Sequence, residues 1–252
     1  MREKRGQVTL FIIIAIILVG AIFLYFALSG RLERVLVGVE INPQEYVEKC
    51  TKDASEQAIN ILLPQGGYIE PENYKLFEDS KASYLCYNKG YYYSCINQEP
   101  MYIERVEQEI KNYIEPRVKD CFYALEQEYK DRNYAVESGE ESISVNLNPK
   151  QVGVEIKKKF DISKGEEARS FDEFKVRFNS PVYDLAIIAI EIVNQEARFC
   201  NFEYLGYSLL YPSYNIERTD VDGGTRIYSV EEKISGKKLI FAVRSCAMPA
   251  GL

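Results

Sequence analysis

The sequence predicts an α+β protein, with one N-terminal transmembrane helix followed by an ectodomain that joins amphipathic helices to an antiparallel sheet. Three observations predict it. Residues 8–28 read VTLFIIIAIILVGAIFLYFAL, without a charged side chain. A helix of that length spans roughly 31 Å, the thickness of a bilayer's hydrocarbon core. Downstream, apolar residues recur at intervals of three and four up to about residue 130, then at intervals of two. All six cysteines follow the apolar run, and none lies in a CxxC pair. An even count at wide spacing beyond a membrane segment favours disulfides in an oxidising compartment. Buried free thiols in a cytosolic domain are the alternative.

Composition excludes several functions. The net charge of −7 argues against a nucleic-acid partner, which needs a basic surface. The chain has no histidine, so histidine-based triads, general bases and metal sites are absent. Tyrosine is abundant at 20 residues, whereas tryptophan is missing.

The chain divides into a basic segment (1–6), the membrane helix (7–30), a helical part rich in tyrosine and cysteine (31–132) and a β-rich part with one helix (133–252). Arg2, Lys4 and Arg5 precede the apolar run, while Arg31 and Arg34 follow it around Glu33. Positive charge is heavier on the N-terminal side, which places that side in the cytoplasm and the folded part outside. The run exceeds the usual core of a removable secretory signal, so it is expected to stay on the protein as an anchor, with the lipid bilayer as its partner.

A first ectodomain helix should start at Asn42 as cap, with Pro43 in its first turn and Glu45 reaching back. Val47, Cys50, Ala54, Ala58, Ile61 and Leu62 fall on its inner face, and Pro64 with Gly66-Gly67 ends it. Next, Tyr84-Leu85-Cys86-Tyr87 and Tyr91-Tyr92-Tyr93-Ser94 flank Asn88-Lys89-Gly90, which reads as a hairpin turn. Cys86 and Cys95 can pair across it if a bulge or loop corrects their offset. A second helix, 101–130, turns Ile103, Val106, Ile110, Tyr113, Ile114, Val118, Cys121, Phe122 and Leu125 inward, and Pro116 should kink or divide it. Two cysteines then lie on inner helix faces, which favours Cys50–Cys121.

Residues 134–137, 142–147, 152–162 and 171–179 read as strands of an antiparallel meander. Pro181 opens a buried helix over 182–199, directed inward through Leu185, Ile188, Ala189, Ile192, Val193 and Ala197. Its charges Asp184, Glu191, Glu196 and Arg198 exclude a second membrane span. Residues 207–246 read as three further strands with turns at Asp222-Gly223-Gly224 and Ser235-Gly236. Cys200 follows the helix and Cys246 ends the last strand, which makes Cys200–Cys246 the third expected pair.

The opening residues point further. Lys4-Arg5-Gly6-Gln7-Val8-Thr9-Leu10 resembles the class III signal peptides of archaeal type IV pilins and archaellins. That resemblance implies cleavage between Gly6 and Gln7 by a membrane aspartyl peptidase, with the apolar helix kept on the mature protein. It covers only the N-terminal stretch. It departs from the family at Phe11, where an acidic residue of the fifth mature position pairs with a neighbouring subunit during assembly. The whole chain also resembles membrane-anchored surface proteins of small-genome archaea with a KRGQVTLF-type opening and a cysteine-bearing ectodomain.

Candidate chemistry is sparse. Asp220, Asp222 and Glu231 miss the spacing of a calcium loop and fit a hairpin turn. Glu140-Glu141 and Glu166-Glu167 fall in turns. Tyr84, Tyr87, Tyr91, Tyr92 and Tyr93 form a cluster suited to a contact surface or to ordinary packing. The expectation is a non-enzymatic surface protein without cofactor or metal, whose partners are the bilayer, copies of itself or other envelope proteins. A pilin-like filament subunit and a tethered hydrolase are the alternatives.

Overall fold

The computed structural model describes residues 15–22 and 41–249. Residues 15–22 are helical. The rest of the expected membrane span, and Gly6 and Gln7, lie outside the described residues. Among the described residues, no helix is long and apolar enough to cross a membrane. Residues 43–249 form one packed unit.

Two antiparallel helices begin that unit, α1 (Pro43–Leu62) and α2 (Tyr102–Asp131). Cys50 bonds to Cys121 across them, with Cα atoms 6.4 Å apart. At the other end, the Tyr102 hydroxyl donates to the Gly66 carbonyl at 3.0 Å. Gly66 and Gly67 adopt φ of 69° and 88° and end the first helix in a left-handed stop, closed by Gly67 N–H to Leu62 O at 2.9 Å. A Cβ on Gly67 would stand 2.6 Å from the Tyr102 hydroxyl, so the second glycine is demanded by packing as well as by backbone angle.

The inner face of α1 is rotated from expectation. Ile59, Thr51 and Ser55 are buried, and Ile61 is 37% exposed. Ser55 can face inward because its Oγ donates to the Thr51 carbonyl within the helix, whereas the Thr51 hydroxyl is buried with no hydrogen-bond partner among the described residues. Helix α2 is not divided at Pro116. The proline lies on the exposed face, where water can satisfy the carbonyl it leaves unbonded, while Ile114 and Val118 hold the buried face on either side. Arg117 also donates to the Tyr113 carbonyl at 2.7 Å, one residue from the gap.

Two sheets follow. The first contains β1 (Tyr74–Phe77), β2 (Ser80–Tyr87), the short β3 (Ile96–Asn97), β8 (Tyr214–Val221), β9 (Thr225–Glu232) and β10 (Lys238–Arg244), in the order β1-β2-β10-β9-β8 with β3 beside β2. It is mixed, which corrects the antiparallel expectation. Strand β2 pairs parallel with β10, through Tyr84 with Ala242 and Cys86 with Val243. Leu239 to Arg244 are all buried, as a central strand covered on both faces requires. This pairing joins the helical part of the chain to its C-terminal end.

The second sheet holds the four predicted strands, β4 (Ala135–Ser138), β5 (Ser142–Asn148), β6 (Gln151–Lys164) and β7 (Glu167–Asn179); β5, β6 and β7 run as the expected antiparallel meander, whereas β4 pairs with β6 and not with β5. Strands β4 and β5 pair in turn with the C- and N-terminal parts of β6, and β7 pairs along both parts. A register shift between Lys157 and Phe160 separates the two halves. Phe122 of α2 packs between Phe160 and Phe174 of this sheet, at 6.0 and 5.1 Å between ring centroids.

Helix α3 (Val182–Phe199) matches its expected bounds, and a short helix, α4 (Tyr204–Leu210), follows it. The latter replaces the first part of a predicted strand. Its start is capped by Glu203, whose carboxylate accepts from Gly206 N–H, and none of its residues is buried. A segment with no fully buried side chain lacks the packing that would hold it as a strand.

Candidate functional site

The five tyrosines singled out in the sequence separate into two roles. Tyr84 and Tyr87 are half-buried on β2 and meet edge to face at 4.9 Å. The Tyr84 hydroxyl also bonds to Thr225 Oγ1 at 2.8 Å, across the sheet. Tyr91, Tyr92 and Tyr93 are 46%, 59% and 68% exposed. They stand on a loop, not on the second strand of a tight hairpin as expected. The return pairing is delayed to Ile96 and Asn97, which lie opposite Tyr87 and Cys86.

The physical reason lies in where the loop's backbone bonds go. Tyr92 N–H donates to the Ala247 carbonyl at 2.9 Å, and Cys246 N–H donates to the Tyr93 carbonyl at 2.7 Å. The loop is therefore zipped to the C-terminal segment rather than to β2. The Cys86–Cys95 bond closes its base, with Cα atoms 5.3 Å apart. Cys200–Cys246, at 5.7 Å, ties the C-terminal segment to the end of α3. Asn88 closes the first turn by accepting from Gly90 N–H at 2.9 Å, while its amide donates to Ser94 O at 2.8 Å.

Arg244 is the keystone residue, and sequence reasoning missed it. It is only 9% exposed. Its guanidinium donates to the carbonyls of Asn88, Gly90 and Gly223, and lies 5.3 Å from the Tyr91 ring. The planar fork serves three carbonyls at once, which an ammonium cannot reproduce in the same geometry. The signal was available: Arg244 is the sole charge in the stretch LIFAVRSCA that ends at a predicted bridge. Arg244→Lys is expected to leave the fold intact but to speed amide exchange over residues 88–94 by at least about tenfold, the equivalent of about 1.4 kcal/mol. Unchanged exchange in that loop would show that Arg244 does not hold it.

A second omission is Glu196. In the sequence it counted only among the charges of α3 that exclude a second membrane span, and it is fully buried. Its carboxylate receives the Tyr228 hydroxyl and Arg226 Nη1, the latter at 2.6 Å. Burial, then the neighbouring Glu196 charge, pushes the Tyr228 phenol well above the ordinary tyrosine range. Spacing could have located this residue, because 185, 189, 192 and 196 share one helical face.

A polar cleft of about 350 Å³ lies beside Tyr84. Tyr68, Glu70, Glu99, Arg105 and Glu109 line it. Two of its carboxylates have structural partners. Glu99 accepts from the Tyr68 hydroxyl, and Glu109 accepts from Ile69 N–H at 3.0 Å, so Tyr68 is tied to the segment that precedes α2 and Ile69 to α2 itself. Burial, then the Glu99 bond, raises the Tyr68 phenol.

The other sequence candidates are dispersed. Glu141 pairs with the buried Lys158 at 2.7 Å, and that bond holds its carboxyl below the usual range. Asp222 pairs with Lys75 at 2.7 Å, Asp220 lies 3.8 Å from Arg226, and Glu231 lies 3.8 Å from Lys238. Among the described residues, no cluster of three acidic, cysteine or histidine side chains is arranged to hold a metal. Comparison of the chain with protein-family models, with curated proteins and with solved structures finds no match.

Proposed function

We propose that this chain is a non-enzymatic, membrane-anchored structural or interaction protein of an archaeal cell surface, with its N-terminus in the cytoplasm and its folded unit outside. The observation that carries the reading is the complete pairing of the six cysteines into Cys50–Cys121, Cys86–Cys95 and Cys200–Cys246. Such bonds persist in oxidising compartments. Two of them brace the loop that displays Tyr91, Tyr92 and Tyr93. Rigid, exposed tyrosines offer large contact area at low entropic cost. Anchorage falls to residues 8–28, and display to the tyrosine loop. Non-reducing mass spectrometry of the protein from its native membrane tests this. Three intact bridges on a membrane-retained chain are expected; reduced cysteines would overturn the extracytoplasmic placement.

The Lys4-Arg5-Gly6-Gln7 segment favours a second reading, a pilin-like subunit processed after Gly6. The same spectra report the mature N-terminus. Gln7 as first residue, with recovery in sheared surface filaments, supports that reading, and a membrane-bound monomer removes it.

A further inference from the structure

Six of the described residues other than glycine adopt a left-handed backbone. A residue with a Cβ reaches that region only at a cost, so each calls for a reason. Three have a local one: Glu78 and Lys150 turn hairpins, and Asn133 follows the end of α2. The other three, Tyr92, Cys200 and Cys246, lie far apart in sequence, with φ of 65°, 57° and 46°, and meet at one junction. Cys200 closes the end of α3, where glycine is the usual residue, with its N–H on the Glu196 carbonyl at 3.0 Å. Its sulfur is bonded to Cys246, the second left-handed residue. Cys246 N–H and the Ala247 carbonyl in turn hold Tyr93 and Tyr92. Backbone of this kind persists only where its surroundings impose it, and it concentrates in switch regions. The same bond is open to solvent at both ends. Cys86, Cys95 and Cys121 are buried, and only in Cys200–Cys246 are both residues partly exposed.

We propose that Cys200–Cys246 is a redox switch for the tyrosine loop, opened by an extracytoplasmic dithiol before either other bridge. The inference rests on the reading of that loop as a display surface outside the membrane. A thiolate of the dithiol attacks one sulfur of the bridge, forms a mixed disulfide and expels the other cysteine as a thiolate. The second thiol of the reductant then attacks its own sulfur in the mixed disulfide, closes the reductant's disulfide and frees the remaining cysteine. Two electrons pass to the bridge, and the two protons of the dithiol end on Cys200 and Cys246. With the covalent tie gone, Cys246 relaxes from its left-handed conformation. That removes the bonds from Cys246 N–H to the Tyr93 carbonyl and from Tyr92 N–H to the Ala247 carbonyl. Release begins after Ser245, whose hydroxyl still donates to the Glu196 carbonyl at 2.8 Å and accepts from Cys95 N–H at 3.0 Å. Arg244 still holds Asn88 and Gly90. The bridged form therefore presents Tyr92 and Tyr93 in one fixed arrangement. The reduced form frees them at the tip of a loop whose base stays closed by Cys86–Cys95.

Graded reduction of the full chain with dithiothreitol, followed by alkylation and mass mapping, reads the order in which the bridges open. Amide exchange on the same samples reads the coupling to the loop. Cys200 and Cys246 are expected to be alkylated at a dithiol concentration at least about tenfold below that needed for either other pair. Exchange at the Tyr92 and Cys246 amides should then rise by at least about tenfold, while the Gly90 amide stays unchanged. Cys200→Ser with Cys246→Ser should show the same fast exchange without reductant. Another bridge opening first, or all three opening together, overturns the switch. So does opening at Cys200–Cys246, by reduction or by the serine pair, that leaves the Tyr92 amide as slow as before. These outcomes leave the extracytoplasmic reading standing, because the bridges are present at the start. A chain isolated from its native membrane with all six cysteines reduced overturns that reading and the switch with it.

Discussion

Glu196→Ala is expected to cost about 3 kcal/mol of folding stability, among the largest effects of any single substitution in this chain. The side chain is fully buried and carries two strong partners. Its removal leaves the Tyr228 hydroxyl without its acceptor in a fully buried position, and takes from Arg226 the carboxylate that lies 2.6 Å away, leaving it Asp220 at 3.8 Å. A buried donor without a partner forfeits its desolvation energy, about 1–3 kcal/mol. The effect is not additive. In Glu196→Leu with Tyr228→Phe, donor and acceptor disappear together, so this double variant should be more stable than Glu196→Ala alone. Equilibrium denaturation measures both. A loss below about 1 kcal/mol for Glu196→Ala would remove the network from the list of determinants. The same phenol gives an alkaline signature. Its folded-state value is raised above the ordinary 10.0, so its contribution is present below pH 10 and declines as pH rises beyond it.

Loss of the Cys50–Cys121 bridge, through paired alanine substitutions, is expected to cost about 4 kcal/mol. The bond spans 71 residues, so most of the unfolded chain between the two helices is constrained by it. The Cys86–Cys95 bond spans only 9 residues. The same entropy relation assigns it roughly 2.5 kcal/mol. Its removal should instead release the tyrosine loop, visible in amide exchange over residues 88–95, while global stability falls less. Denaturation of the two double variants under oxidising conditions gives the ranking. A larger global loss at Cys86–Cys95 would contradict it.

The elements that were legible in sequence share one property: their pattern is local. Helix α3 shows its period-3.6 stripe and a proline at its entry. The meander strands show alternating burial over 142–148 and again over 151–162, because one face is wet. Cys50 and Cys121 could be matched because both fall on stripes that must face a common core. The tyrosine loop was misread for the opposite reason. Residues 84–94 alternate and turn like a hairpin, yet their hydrogen-bond partners are Arg244, Cys246 and Ala247, about 150 residues away. Helix α4 was misread because an exposed tyrosine–leucine segment satisfies either period.

The sequence alone determined the uncharged N-terminal run, the order of most helices and strands, and an even set of cysteines beyond the run. These follow from hydropathy, spacing and backbone chemistry, which act over a few residues. Only the tertiary structure decided which charges are internal. Arg244 and Glu196 read as ordinary polar residues until the parallel β2–β10 pairing closes the sheet and α3 covers it. It likewise decided which tyrosines are displayed and which apolar side chains remain outside. Burial is a property of packed surfaces, set by contacts between segments far apart in the chain, and no local pattern specifies it.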